Sequence, residues 1–334
     1  MKRIPIHLEA VAGYNHLASA AARAARGKRT RPEVREFFSD FDGRIRAMGQ
    51  DIISGSVPYG RFRKFTIRDP KPRKIHAACF PDRVLHHGLM AFVEPVLDRA
   101  MVASSFACRK GKGVHRAVGY AQKQMRKYPW FLKVDVRHYF ETMDHGNLMA
   151  MVGRKFKGQG FLCLMERIMA GYETAPGKGL PIGSLVSQNL ANFYLDGLDR
   201  YLLEDLKVSA HVRYMDDIMV WCRSREEARD VLGWIRIWMV SRKLRLKEEV
   251  TRIGKSHEGV TFCGVRVFPG TLGLTRRKKR RYALLRRQWE ARYRNGEIGE
   301  SGLQAGLQAV GAAVLPARGP GWLTANMKRF PPVE

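Results

Sequence analysis

The stretch that most constrains this chain is His211 to Cys222, HVRYMDDIMVWC. Two apolar, β-prone runs, Val212 and Tyr214 before and Ile218, Val220 and Trp221 after, flank adjacent carboxylates at Asp216 and Asp217, which places the acids at the turn of a hairpin. Adjacent like charges repel, and no basic partner is evident within the run, so a divalent cation is a natural neutraliser. A solvated acidic turn accounts for the pair equally well, because Asp is a common turn residue. A third acid breaks the tie. Trp130 to Asp135, WFLKVD, reads as a buried strand with Asp135 at its C-terminal end. Three acids on neighbouring strand ends can hold two metal ions about 4 Å apart, the arrangement that activates an attacking hydroxyl and stabilises a leaving oxygen in nucleotide transfer.

Charge points the same way. Sixty Lys and Arg against 31 Asp and Glu give a formal net charge of +29 over 334 residues, the footprint expected for a polyanionic partner. A membrane surface could attract such a chain, but no amphipathic anchor or spanning apolar run is evident, so nucleic acid is favoured. Five cysteines at 79, 108, 163, 222 and 263 have no CxxC or His-Cys spacing, which argues against zinc and against a disulfide framework. The N-terminus lacks a continuous apolar segment of the secretory kind. A cytoplasmic protein in a reducing compartment is the expectation.

The order of Asp135 with Phe140, then GLPIGSLVSQNLANFYL at Gly179 to Leu195, then RYMDD at Arg213 to Asp217 is similar to motifs A, B and C of reverse transcriptases. More narrowly, Ile182-Gly183 and Ser187-Gln188, where most relatives carry Gln-Gly and Ser-Pro, resemble the reverse transcriptases of diversity-generating retroelements. The resemblance runs from about Tyr14 to Arg294. It implies an α+β right-hand polymerase: an N-terminal extension and fingers over 1–130, a ferredoxin-like palm over 131–274 with part of the fingers around 145–180, and a helical thumb over 275–334. It also implies two Mg2+ ions, with Mn2+ possible, held by Asp135, Asp216, Asp217 and the Val136 carbonyl. Implied partners are template RNA, a cDNA primer or product, deoxynucleoside triphosphates and a small basic oligomeric accessory protein.

Other motifs divide between chemistry and packing. Arg61 to Cys79 reads as a stiff hairpin whose tip carries Arg68, Lys71 and Arg73, either a cationic clamp on a triphosphate or a grip on nucleic acid backbone. By resemblance Arg73 and Lys71 are the triphosphate contacts. Ser104 to Gly119 combines Arg109, Lys110 and Lys112 with Gly111 and Gly113, allowing close approach to phosphates, and lacks the ending of a P-loop. Phe140 is either a core ring or, by resemblance, the residue that excludes a 2′-hydroxyl. Gly183 permits close backbone approach, and Gln188 follows on the helix predicted over Ser184 to Leu206. Ile182 in place of Gln removes hydrogen-bonding capacity near the templating pair, which predicts lower fidelity, aimed by resemblance at template adenines. Lys247 stands near the lysine of motif D, and Phe262-Cys263-Gly264 resembles the primer grip.

Asn15 to Ala25 and Pro32 to about Met48 read as helices, with a basic stretch between them that is a solvated face or an RNA contact. Pro81 to Arg99 is an amphipathic helix in which adjacent His86 and His87 point to different faces, so packing outweighs ligation. Ser224 to Arg242 is expected to cover the palm with Trp234 and Trp238. Leu244 to Lys247 and Val260 to Phe268 are expected strands. Arg276 to Arg294, beginning Arg276, Arg277, Lys278, Lys279 and Arg280, is a basic helix suited to an RNA·DNA groove. A retron-like or group II intron-like reverse transcriptase would share the chemistry, and a non-catalytic RNA-binding scaffold would share the charge but have no need of all three carboxylates.

Overall fold

The computed structural model describes residues 2–57, 60–68 and 72–312; Lys71 and the tail from 313 lie outside the described residues. A short strand β1 (Ile4–Pro5) precedes α1 (Leu8–Ala12) and α2 (Tyr14–Ala25). The expected Pro32 helix is broken after one segment, giving α3 (Pro32–Ser39) and α4 (Phe41–Ser54) with the break at Asp40, whose φ of −129° and ψ of 60° are not helical. Strands β2 (Phe62–Arg68) and β3 (Pro72–Ala78) form the antiparallel hairpin, and α5 (Phe80–Ala100) and α6 (Val114–Lys127) follow. Then come β4 (Trp130–Asp135), α7 (Tyr139–Thr142), α8 (His145–Lys155), β5 (Phe156–Lys157) and α9 (Gln159–Ala170).

The helix predicted over Ser184 to Leu206 is instead three pieces, α10 (Leu185–Tyr194), α11 (Asp196–Arg200) and a wide turn at Tyr201–Asp205. Next are β6 (Ala210–Tyr214), β7 (Asp217–Cys222), α12 (Arg225–Ser241), β8 (Arg252–Lys255), β9 (Val260–Phe262), β10 (Val265–Val267), β11 (Leu272–Leu274), α13 (Arg276–Arg294) and α14 (Glu300–Ala312).

The chain divides into two compact units. The first comprises 1–102, 136–200 and 236–246. Its core is helical: α2 packs on α5, where Ala20, Ala21 and Ala24 allow close approach to the Val84, Leu85 and Leu89 stretch, and α10 packs on α5 as well. His86 is buried in α5, and burial lowers its pKa to about 4; it is a core histidine, as the spacing implied. Asp144 caps α8 by accepting from Asn147 N at 2.9 Å. Burial alone would push this carboxyl up, but the Lys243 ammonium at 2.5 Å holds it below the usual range.

The second unit comprises 103–135, 201–235 and 247 onward, and holds a four-stranded antiparallel sheet in the order β6-β7-β4-β8. With intervening helices the chain order is βαββαβ, and the first strand lies inside between the third and fourth, the ferredoxin-like pattern. The outer strand is β8, not the Leu244 to Lys247 run. Leu246 makes only a single bridge, to Val136, before a helical turn at Glu248–Val250 interrupts the extended backbone. Val260 to Phe268 likewise splits, because Cys263 and Gly264 take φ of 48° and 72° and turn the chain into the β9–β10 hairpin. That hairpin, with β11, joins α6 and one sheet face in a core containing Phe131, Met219, Trp221, Val260, Phe262 and Tyr282. Burying rings such as Phe131 and Trp221 stabilises the unit by roughly 1.5–3 kcal/mol each. On α12 the buried residues are Ala228, Val231, Leu232, Ile235 and Met239; Trp234, expected to cover the palm, is 48% exposed.

Candidate active site

In the second unit β6 and β7 are joined by a two-residue turn, Met215–Asp216, with Tyr214 paired to Asp217. Only Asp216 of the acidic pair therefore sits in the turn. Met215 takes φ of +59°, as hairpin turns that follow strand twist require of their first residue. The buried Arg213 donates from Nη1 to the Met215 carbonyl at 3.2 Å, bracing the turn from beneath. Asp217 begins β7 and pairs directly with Asp135 at the end of β4. All three carboxylates are thus at one end of one sheet, and Asp135 and Asp217 share a face of it.

Pairing two carboxylates directly across strands is unfavourable without a cation. The structure supplies one that the hairpin sequence alone did not reveal. Lys133, two residues before Asp135 and so on the same face, sits diagonally from Asp217, with Nζ 3.2 Å from Oδ1. The same ammonium donates to the Thr261 carbonyl at 2.6 Å. The Cys263 N–H donates to Asp217 Oδ2 at 3.2 Å, directed there by the left-handed backbone of the β9–β10 turn. Burial pushes the Asp217 carboxyl above its ordinary range, against the opposing pull of Lys133 and the Cys263 N–H. Burial and the Asp217 charge also push the Cys263 thiol up, so it is an inert turn residue. Asp135 and Asp216 are half-buried. Lys247 donates its N–H to the Asp135 carbonyl at 2.9 Å, which places the candidate motif D lysine beside the end of β4.

Among the described residues no three His, Cys, Asp or Glu side chains are gathered for one metal ion. The donor chemistry nevertheless suits hard divalent cations: Asp135 and Asp216 offer carboxylate oxygens, and Val136 a carbonyl. Lys133 brings an ammonium to this end of the sheet, and it lies against Asp217. Asp217, grouped with the metal ligands on sequence, is turned toward Lys133 and Cys263.

The other candidates of the second unit separate by what their side chains touch. Arg109 Nη1 donates to the Ser105 carbonyl at 3.0 Å and Lys112 Nζ to the Ala103 carbonyl at 2.5 Å, so both brace the loop that carries them; Lys110 is exposed. On α13, Arg276, Arg277 and Arg280 are exposed, while Lys278 and Lys279 are half-buried.

In the first unit the motif B loop is tied to the β2–β3 hairpin. His76 N donates to the Ile182 carbonyl at 2.9 Å, and a Cβ at Gly183, whose φ is +111°, would lie 2.9 Å from Ile75 Cγ2. The positive φ and the close approach of the Ile75 side chain are therefore what require glycine here. Ile182 is half-buried and Gln188 exposed on α10. Arg73 is exposed on β3 opposite Ile67. The Phe140 carbonyl accepts from Leu180 N at 2.7 Å, and its ring lies edge-on to Tyr139, whose hydroxyl donates to the Ala191 carbonyl at 2.5 Å.

Comparison with known proteins places this geometry in a family. Residues 67–267 match the model of the reverse transcriptase (RNA-dependent DNA polymerase) family. The chain is 24% identical over 266 residues to protein YkfC of Escherichia coli K12, covering 65% of this chain and 66% of that protein. It is 24% identical over 140 residues to the group II intron-encoded protein LtrA of Lactococcus lactis, covering 40% of this chain and 23% of LtrA. It thus spans just under two thirds of one relative and under a quarter of the other. A solved structure of apo telomerase from Candida tropicalis aligns with a TM-score of 0.48 at 11% identity, over 65% of this chain and 55% of that one. No described helix is long and apolar enough to cross a membrane. With three carboxylates on a ferredoxin-like sheet and a family match across 201 of its 334 residues (67 to 267 inclusive), this chain belongs to the reverse transcriptase family and has the α+β fold of a right-hand polymerase.

Proposed function

We propose that the chain is an RNA-directed DNA polymerase, and that it makes error-prone cDNA from a template-repeat RNA to diversify a variable protein gene. The observation that carries the polymerase reading is the placement of Asp135, Asp216 and Asp217 at one end of the sheet, with Asp217 held by Lys133 and Cys263. Asp135 and Asp216, with the Val136 carbonyl, would hold divalent cations, Mg2+ or Mn2+. When bound, such ions supply activation of the primer 3′-hydroxyl and neutralise charge on the triphosphate. Asp217 keeps the hairpin end fixed under its own acid neighbour. Arg73, with Lys71 beside it in sequence, would grip the triphosphate; Phe140 would stand against a ribose 2′-hydroxyl; Lys247 would assist pyrophosphate departure. Gly183 and Gln188 would border the nucleotide. Exposed cations of α13 would follow the RNA·DNA backbone, where affinity needs charge rather than sequence readout.

The mutagenic reading rests on Ile182, a branched apolar side chain where hydrogen-bonding readout would otherwise discriminate, and on Gln188 in place of Pro. A small basic accessory protein would serve as partner. A second reading, a group II intron-like reverse transcriptase, is favoured by the likeness to LtrA.

Primer extension on an RNA template, with products sequenced, separates these. Metal-dependent cDNA that is lost in Asp216→Asn supports the polymerase. Errors concentrated opposite adenine, and reduced in Ile182→Gln, support the diversity-generating reading; faithful cDNA moves the assignment to the intron-like one. No synthesis with any template, metal or accessory protein would leave an RNA-binding scaffold.

A further inference from the structure

The catalytic end of β4 is Asp135; its other end is Trp130, which pairs with Cys222 on β7 and Lys255 on β8. Five strand steps separate the two, roughly 17 Å of sheet. Beside Trp130 lies an open cleft of about 480 Å³, within the size range that accepts a small ligand. Arg126, Lys127, Tyr128, Trp130, Lys255 and His257 line it, and no carboxylate among the described residues does. Both aromatic side chains are half-buried and fixed in place: Tyr128 donates its hydroxyl to the Ser209 carbonyl at 3.2 Å, and the indole belongs to a strand paired on both sides. Arg126 is pinned by donating from Nε to the Pro269 carbonyl at 2.6 Å, which sets its guanidinium on the rim. Lys127, Lys255 and His257 are exposed, and the Lys255 ammonium lies 5.9 Å from the centroid of the indole ring. At the floor the Ser256 hydroxyl, in a residue only 2% exposed, has no hydrogen-bond partner among the described residues.

Aromatic faces interleaved with cations, without a competing carboxylate, are the chemistry that binds single-stranded nucleic acid: bases stack and phosphates take the charge. We propose that this cleft is a second nucleic-acid site, seating an unpaired nucleotide of an RNA strand with its base against Trp130 and Tyr128 and its phosphates on Lys127, Lys255 and His257. Lys255 can swing from the indole face to a phosphate, and the orphaned Ser256 hydroxyl supplies a polar contact beneath. Standing at the opposite end of the sheet from the carboxylates, the site holds RNA that is not being copied, anchoring the transcript while another part of it is read. This goes beyond polymerisation and does not depend on which branch of the family the chain serves.

The same nucleotide chemistry could come from a free triphosphate, so the test uses both. The full-length chain is photo-crosslinked to a short single-stranded RNA containing 4-thiouridine, and the adducts are mapped by mass spectrometry. Adducts within 125–130 and 255–257, undiminished by excess ATP, are expected. Binding of the same RNA should weaken about tenfold in Trp130→Leu, in line with the loss of one stacked base, and comparably in Lys255→Glu, whose exposed side chain leaves folding unaffected. Lys123→Glu, an equal charge change at an exposed position of α6, should weaken it much less. Equal losses in Lys123→Glu and Lys255→Glu would overturn the proposal in favour of general electrostatic attraction. The absence of adducts at 125–130 and 255–257, with adducts only elsewhere, would overturn it outright, and displacement by ATP would reassign the cleft to free nucleotides.

Discussion

Replacing Lys133 by Met tests whether this ammonium is what keeps two acids tolerable at the sheet end. The Nζ to Oδ1 separation of 3.2 Å corresponds to about 5 kcal/mol of attraction at an effective dielectric of 20. Breaking a buried pair from one side costs about 3–5 kcal/mol, because the partner is left charged and unpaired. Here the side chains keep 17% and 21% of their exposure, and Asp217 can escape by taking up a proton, so about 2–3 kcal/mol is expected. In thermal unfolding that is roughly a 4–8 °C loss in Tm. Asp217→Asn retains an oxygen for the Cys263 N–H but strands the ammonium, and should cost about 1–2 kcal/mol. The double variant should be little worse than the Lys133→Met single, giving a coupling of about 1–2 kcal/mol in a denaturant-based cycle. Its pH dependence has a fixed sign. Burial places the folded carboxyl above its ordinary value of 3.8, so the folded state holds the proton more tightly and the destabilisation grows as pH rises through that window. Lys133→Met moves the carboxyl further up, and its penalty should shrink on acidification. Additive losses within about 0.5 kcal/mol, at neutral pH, would refute the pairing argument.

Asp135→Asn and Asp216→Asn should each lower primer extension by at least about a hundredfold while leaving the unfolding midpoint nearly unchanged, since both side chains are half-buried at a strand end or turn; a parallel loss of stability would instead assign them a structural role. His86, buried and lowered to about 4 from an ordinary 6.5, binds its proton more weakly folded than unfolded, so stability falls as pH drops from 6.5 toward 4, by at most about 3 kcal/mol; His86→Gln should flatten urea midpoints measured between pH 7.5 and pH 5, and an unchanged slope would contradict this. Gly183→Ala combines a φ of +111° with a 2.9 Å approach to Ile75 Cγ2, and should cost about 1–3 kcal/mol together with weaker nucleotide affinity; unaltered nucleotide binding would separate the loop from the nucleotide site.

The hairpin around Asp216, the β4 strand, the amphipathic α5 and the basic α13 were legible because each carries a strong local signal: period-two alternation bounded by a turn, an apolar run ending in a charge, or helical spacing of apolar residues. What local signals could not deliver was the partner of each strand. Leu244 to Lys247 has the composition of a strand, yet pairing past Leu246 is interrupted by the turn at Glu248–Val250, and Arg252–Lys255, which is too polar to announce itself, becomes the edge strand. An edge strand needs little apolar surface, so its pattern is weak by construction. The break after Tyr194 was hidden for a related reason. Leu195 ends α10 with a φ of −89° and ψ of 2°, and nothing in FYLDGLDRYLL punctuates it except a glycine that tolerates either outcome.

Adjacent acids can have opposite fates, and the pair at 216 and 217 does. Strand geometry sends consecutive side chains to opposite faces, and a two-residue turn ends just before Asp217, so one acid stands in the turn while the other enters the ladder opposite Asp135. The acid in the ladder shares a face with Lys133 and lies under the β9–β10 turn, where it pairs with that cation and accepts one N–H. Keeping Asp217 charged there fixes the backbone from which Asp216 projects, because moving the turn would drag a carboxylate out of its two contacts. Lys133 is invisible to a reading of the hairpin because it belongs to another strand, but it is recoverable once β4 and β7 are paired in register with the acids level: the residue two before Asp135 must then face the same side. A basic residue two positions before the acid at the end of a buried strand is costly to bury alone, and the register supplies the reason it is there.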